Sequence, residues 1–300
     1  EMLFNVFISI LLGAYSLILI GIFCSNFLQP KTSKPKRVSL QSDRLEDINV
    51  LKLLDVTKSF DQPVLQGISL AIRKGETVGI LGQSGTGKSV LLKIVAGFLR
   101  PDQGQVFFKG RDIGEMSESN LLKIHKQVSY IFQSSGIFDS LSVGENIAYP
   151  LREQGITDEK IIRDRVDCLL EMVDLAGQPH RRYNQLTVGG KKQVAIARAI
   201  ANNPEVILYD EPTTGVDPII RKSLSRLIRK LNRQEKLTSV VVTHDLRCLE
   251  VVADRVILLK DGSIHFEGDL SELKASEDTY IKAFIGGQRY TQDNSTRTSV

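Results

Sequence analysis

Apolar positions fall into two contrasting patterns along the 300-residue chain. From Met2 to Pro30 there is no charged residue, and most positions are Leu, Ile, Phe or Val. As a helix this stretch is roughly 40 Å long, enough to cross a bilayer core with some tilt. It meets Lys31, Lys34, Lys36 and Arg37, a basic flank that favours the cytoplasmic side. From Val50 onward the apolar residues come instead in short runs between turn-forming residues. Leu51 to Val56 and Gly67 to Ile72 predict strands separated by the turn Phe60-Asp61-Gln62-Pro63. Val106-Phe107-Phe108 predicts another, after the turn Pro101-Asp102-Gln103-Gly104. Val78-Gly79-Ile80-Leu81 is apolar throughout, as a parallel strand buried on both faces must be. Val206 to Tyr209 and Val241-Val242 predict two more apolar strands, and Val90 to Ala96 has helical spacing.

These patterns divide the chain into an apolar segment (1–30), a basic, proline-containing linker (31–48), a domain over 49–288 and a polar tail (289–300). For the first segment three readings stay open: a single membrane anchor, a start-site artefact and a cleaved signal peptide. The absence of a preceding Lys or Arg, and of a following A-x-A site, weighs against the last.

Between the strand ending at Leu81 and the helix from Val90 lies Gly82-Gln83-Ser84-Gly85-Thr86-Gly87-Lys88-Ser89, the G-x-x-x-x-G-K-[ST] pattern of a phosphate-binding P-loop. Its glycines let backbone N–H groups approach phosphate oxygens, and the helix N-terminus adds partial positive charge. Lys88 can reach the β- and γ-phosphates, and the Ser89 hydroxyl can ligate Mg²⁺. A strand, a glycine turn and a helix in this order predict binding of a nucleoside triphosphate.

The strand from Val206 ends in Tyr209-Asp210-Glu211-Pro212. A carboxylate at the end of an apolar strand, downstream of a P-loop, has the form of a Walker B motif. Asp210 can hold Mg²⁺, and Glu211 can polarise the water that attacks the γ-phosphate.

The rest of the composition excludes more than it adds. The net charge of +4 is small and dispersed and gives no case for nucleic-acid binding. Cys24, Cys168 and Cys248 are far apart and lack metal-ligand spacing.

With these motifs in view, residues 50 to 288 resemble the ATPase subunit of an ABC transporter. The resemblance implies an α/β fold: a P-loop core with a mixed sheet, an antiparallel β-subdomain and a helical subdomain near 134–196. It implies that Phe60 stacks on adenine. It also makes Gln133, in Tyr130-Ile131-Phe132-Gln133, the Q-loop glutamine that serves Mg²⁺ and senses the γ-phosphate. Thr214-Gly215-Val216-Asp217 matches the D-loop, and His244, in Val241-Val242-Thr243-His244-Asp245, the switch histidine on the γ-phosphate.

The signature motif departs from the family's L-S-G-G-Q or L-S-G-G-M. Counting back from Ala197-Arg198-Ala199 gives Leu186-Thr187-Val188-Gly189-Gly190. In this register Thr187 keeps the hydroxyl, Val188 replaces the first glycine, and Gly190 replaces Gln or Met. A β-branched residue there is expected to hinder close approach or a positive φ. A one-residue shift keeps Gly189-Gly190 as the glycine pair but loses the hydroxyl and rotates the apolar face of the following helix.

By the same resemblance two copies clamp two ATP, with Thr187, Gly189, Gly190 and Asp217 facing the other subunit's nucleotide, and a separate polytopic permease supplies the membrane path. Phe132-Gln133-Ser134-Ser135-Gly136-Ile137-Phe138-Asp139-Ser140-Leu141-Ser142-Val143, then Glu145-Asn146 and Ala148-Tyr149-Pro150-Leu151-Arg152-Glu153, resemble the ATPases of Mla/Mce-type phospholipid transporters. Ala283-Phe284-Ile285-Gly286-Gly287 is similar to that group's C-terminal F-x-x-G. The resemblance implies an MlaE-type permease, an MCE-domain lipid-binding protein, and a place on the cytoplasmic face of the inner membrane. Another ABC importer, a lipoprotein-release system and a slow regulatory ABC ATPase are the alternatives.

Overall fold

The computed structural model describes residues 49–287. The apolar segment 1–30, the linker 31–48 and the polar tail lie outside the described residues, and so does the expected anchor. Among the described residues no helix is long and apolar enough to cross a membrane.

The chain begins with a hairpin of β1 (Asn49–Ser59) and β2 (Pro63–Arg73), paired antiparallel from Ser59↔Pro63 to Asn49↔Arg73. Both strands outrun their apolar cores because backbone pairing continues to the hairpin turn. β3 (Thr77–Leu81) and α1 (Lys88–Val95) follow, then β4 (Gln103–Phe108) and β5 (Arg111–Asp112). A four-stranded antiparallel sheet in the order β2-β1-β4-β5 results. β4 begins inside the turn expected over 101–104. Gly104, at φ +87°, lies so close to β1 that a Cβ would come within 2.4 Å of the Asp55 carbonyl oxygen, so a turn residue enters the sheet edge.

The remaining elements run α2 (Glu118–His125), β6 (Val128–Ile131), α3 (Val143–Glu153), α4 (Glu159–Met172) and α5 (Val188–Ile200). After them come β7 (Val206–Asp210), α6 (Pro218–Gln234), β8 (Thr238–Val242), α7 (Leu246–Val252), β9 (Arg255–Lys260), β10 (Ser263–Gly268) and α8 (Leu270–Ala275). The second sheet has the order β10-β9-β3-β8-β7-β6. Its five inner and far strands are parallel, and β10 returns antiparallel on β9. The mixed sheet and the separate antiparallel sheet are the α/β architecture expected.

Alternation within the apolar strands explains why they carry no polar face. Val206 and Leu208 of β7, with Val240 and Val242 of β8, join a core with Leu53, Ile68, Leu91 and Leu92 beneath the antiparallel sheet. Ile207, Tyr209 and Val241 point the other way, into a core with Ile147, Leu169, Val194, Ile228 and Leu249 from the helices. Each strand is therefore buried on both sides, which pins its register. The carboxyl ends of β3, β6, β7 and β8 share one edge, and the loops leaving them carry the P-loop, Gln133, Glu211 and His244. In open α/β sheets that edge is where ligands bind.

Candidate nucleotide site

The P-loop takes its shape from what surrounds its last glycine. Gly87 caps α1 at φ +90°, and a Cβ there would lie 2.8 Å from the Val64 carbonyl oxygen and 2.7 Å from the Leu65 side chain. Only glycine accepts both the left-handed backbone and the contact. Lys88 is buried, and its ammonium donates to the carbonyls of Gly82 at 2.9 Å and Gln83 at 2.8 Å. Burial holds the Lys88 pKa below the usual lysine range, partly countered by Glu211 and Asp210.

Beside it, Asp210 has both oxygens engaged. The Ser89 hydroxyl donates to Oδ1 at 2.9 Å and the Tyr130 hydroxyl to Oδ2 at 2.8 Å. Burial, then the Asp210 carboxylate, push the Tyr130 hydroxyl far above its ordinary value, so it stays a donor. Ser89, bonded to Asp210, lines the cleft together with Gln133, so hard oxygen donors of three kinds could serve a cation there. No cluster of three or more metal-ligating His, Cys, Asp or Glu occurs among the described residues. One carboxylate and a hydroxyl beside a phosphate loop suit Mg²⁺, which is held largely by substrate phosphates rather than by a protein cage.

Glu211 leaves β7 with a left-handed backbone, φ +50°, and is nearly buried. Its carboxylate accepts from the Thr214 hydroxyl at 2.9 Å, the Thr243 hydroxyl at 3.1 Å, the His244 N–H at 3.1 Å and the His244 Nδ1 at 3.0 Å. Burial alone would raise the Glu211 pKa. The donors, His244 first, outweigh it and hold the group below the usual range. Gln133, Glu211 and His244 line one cleft with the P-loop, about 710 Å³ in volume, whose lining also includes Ala283 and Phe284.

The structure does not bring all the expected residues into this cleft. Phe60 stands outside its lining, 60% exposed, with the Lys58 ammonium 5.7 Å from the ring centroid. Thr187 caps α5, accepting the Gly190 N–H at 3.2 Å, and Asp217 caps α6, accepting from Ile219 and Ile220 at 3.0 Å each. Val188 is the first helical residue of α5 and is not among the residues with positive φ, so the expected backbone conflict does not arise. Gly189 is the tight position instead: a Cβ would lie 2.6 Å from Ile220 Cγ2, where the first turns of α5 and α6 meet. Thr187 and Asp217 thus cap two helices that meet at Gly189 and Ile220, and none of Thr187, Gly189, Gly190 and Asp217 lines the cleft of this copy.

Sequence reasoning missed Tyr130, Thr214, Thr243 and Lys192, whose ammonium donates to the Gln133 carbonyl. Thr214 and Thr243 adjoin recognised motifs. Nothing local marks Lys192, 59 residues from its partner.

The profile described as ABC transporter matches residues 65–214, taking in the P-loop, Gln133, the signature region and Glu211. The chain belongs to the ABC transporter family. Over 241 residues it is 36% identical to the intermembrane phospholipid transport system ATP-binding protein MlaF of Haemophilus influenzae, covering 80% of this chain and 91% of that one. It is 39% identical over 234 residues to the methionine import ATP-binding protein MetN of Corynebacterium jeikeium, covering 76% and 63% respectively. Among solved structures it is similar to the dimeric post-hydrolysis state of the ATP-binding cassette MJ0796 bound to ADP and Pi. That match has a TM-score of 0.68 and 34% identity over 73% of this chain and 98% of that one. The chain is accordingly the ATP-binding, ATP-hydrolysing subunit of an ABC transporter, using ATP with Mg²⁺. Cassettes of this family dimerise and work with a membrane permease.

Proposed function

We propose that this subunit drives an Mla/Mce-type phospholipid transporter from the cytoplasmic face of the membrane, through an MlaE-type permease served by an MCE-domain protein. The observation that carries the reading is the segment after Gln133. Asn146, fully buried, accepts the Phe138 N–H and donates to the carbonyls of Phe138 and Ser142, each at 3.0 Å. Ser142 and Glu145 close a capping box at the start of α3. The F-D-S-L-x-V-x-E-N pattern is thus one locked turn. It holds Phe138 and Tyr149 outward, 40% and 38% exposed, with their rings 4.9 Å apart and Arg198 over Phe138. A rigid aromatic face beside an arginine is a surface made for a protein partner.

In this reading the P-loop amides and Lys88 bind the β- and γ-phosphates, and Ser89, Asp210 and Gln133 hold Mg²⁺. When bound, Mg²⁺ neutralises charge on the phosphate oxygens. Glu211 takes the proton of the attacking water, and His244 contacts the γ-phosphate. Thr187, Gly189, Gly190 and Asp217 complete the site of a second copy, and Phe60 stacks on the base.

The deciding experiment uses Glu211→Gln, tagged at its C-terminus and produced in the native host, to trap the ATP-bound dimer. Membranes are solubilised in mild detergent with ATP and Mg²⁺, and copurifying proteins and lipids are identified by mass spectrometry. A polytopic permease with an MCE-domain protein and bound phospholipid is the expected result. An amino-acid permease would move the assignment to the importer represented by MetN.

A further inference from the structure

Tyr130 belongs to two surfaces at once. It lies on β6, and Phe132 follows directly after the strand's last residue, Ile131. Its hydroxyl holds Asp210 Oδ2 at 2.8 Å. Its ring packs on Phe132 with centroids 4.4 Å apart and on Phe98 at 5.5 Å. Phe98 and Phe132 are 49% and 40% exposed, and with Tyr130, Pro150 and Arg198 they line a groove of about 290 Å³. One end of a rigid phenol thus lies in an open aromatic groove and the other on a buried carboxylate.

The groove and the carboxylate are otherwise far apart in sequence: Tyr130 and Asp210 are 80 residues apart, joined through the β6–β7 pairing of Tyr130 with Leu208. Rotation about χ2 leaves the hydroxyl oxygen on its axis, but a displacement of the tyrosine ring about χ1 swings ring and hydroxyl together. Asp210 accepts from Tyr130 on one oxygen and from Ser89 on the other, and its remaining lone pairs are those a cation would use. Partners that orient a metal-binding carboxylate typically alter metal affinity by roughly 10- to 100-fold when removed.

We infer that Tyr130 is a positioning residue that orients Asp210 and makes that orientation depend on what fills the aromatic groove. The inference rests on the reading of Asp210 as a Mg²⁺ ligand. By this route a permease segment entering between Phe98 and Phe132 would set the cation affinity of the nucleotide site.

The test is a Mg²⁺ titration of binding, rather than turnover, with a fluorescent ATP analogue on the full chain. The set is wild type, Tyr130→Phe, Phe132→Ala, their double variant and Asp210→Asn. Tyr130→Phe keeps the ring and removes only the hydroxyl. It is expected to raise the Mg²⁺ midpoint about tenfold while leaving Mg²⁺-free analogue binding unchanged. Phe132→Ala is expected to shift the midpoint in the wild-type background and not in Tyr130→Phe. A Tyr130→Phe midpoint within about twofold of wild type, with Asp210→Asn strongly shifted, overturns the role of Tyr130 alone. Equal Phe132→Ala shifts in both backgrounds overturn the link to the groove. An Asp210→Asn midpoint equal to wild type overturns the Mg²⁺ reading on which the inference stands.

Discussion

The Nδ1 of His244 sits between the two carboxylate oxygens of Glu211, 3.0 Å from Oε1 and 2.9 Å from Oε2. The base and the γ-phosphate contact proposed for hydrolysis are thus one hydrogen-bonded unit. Thr214 and Thr243 brace the carboxylate from the loops after β7 and β8. For Glu211 to take a proton from water, the imidazole has to yield an oxygen, so the pair couples the histidine's position to readiness of the base.

That coupling predicts a pH signature. The hydrogen bond that the imidazole donates to Glu211 raises the His244 pKa above the usual histidine value, while Glu211 is held below the usual carboxylate range. The histidine's contribution to stability is whole below its unfolded value of about 6.5 and is lost as pH rises through the raised folded value. The carboxylate's contribution is present above its unfolded value of about 4.3 and is lost as pH falls through the lowered one. The Tm difference between wild type and His244→Ala, without nucleotide, should therefore be largest near pH 5–6 and shrink on the alkaline side. A difference unchanged from pH 5.5 to 9 would separate the two residues energetically.

Lys88→Met should remove nucleotide affinity more than stability. The ammonium is buried and donates only to loop carbonyls within the chain, so its loss relieves a desolvated charge. ATP affinity, measured by calorimetry with Mg²⁺ present, is expected to fall at least tenfold, about 1.4 kcal/mol. The rise in Tm that saturating ATP gives wild type should largely vanish. A variant that keeps this rise would place the phosphates elsewhere.

Gly189→Ala tests how the signature helix is seated. The added methyl must displace Ile220 Cγ2, 2.6 Å away, at the junction of α5 and α6. Overpacking of this kind costs about 1–3 kcal/mol, or roughly 2–12 °C in Tm for a domain of this size. Ile220→Ala removes the obstructing group, so the double variant should recover most of the loss of Gly189→Ala relative to Ile220→Ala alone. Purely additive losses would locate the strain outside this contact.

What was legible beforehand follows from distance along the chain. Gly82 to Ser89, Asp210 and Glu211 announce themselves because each motif is contiguous and ends an apolar strand. Residues joined only by the fold gave no signal: Tyr130 with Asp210, Lys192 with Gln133, Gly189 against Ile220. Val188 looked like a backbone problem as a letter in a motif, and the helix beginning at that residue removes it. Likewise Ala283 and Phe284 read as a C-terminal pattern, whereas tertiary packing sets them at the cleft wall.

Asn146 carries the most direct prediction about the permease face. Its amide satisfies the Phe138 N–H and the carbonyls of Phe138 and Ser142 inside a fully buried site. Asn146→Ala leaves the Phe138 N–H unpaired, at about 1–3 kcal/mol before relaxation, while the carbonyls of Phe138 and Ser142 keep the backbone N–H groups of positions 141 and 146; the loop can recover part by opening to water. Opening the loop releases Phe138 from its tilted ring contact with Tyr149 and from Arg198. The P-loop, Glu211 and His244 sit on other elements, so analogue binding by the isolated chain should stay within about twofold of wild type. Recovery of permease with the tagged subunit should fall at least tenfold, a loss of about 1.4 kcal/mol in docking. Normal permease recovery together with a lowered Tm would mean that the turn stabilises the fold without shaping the docking face.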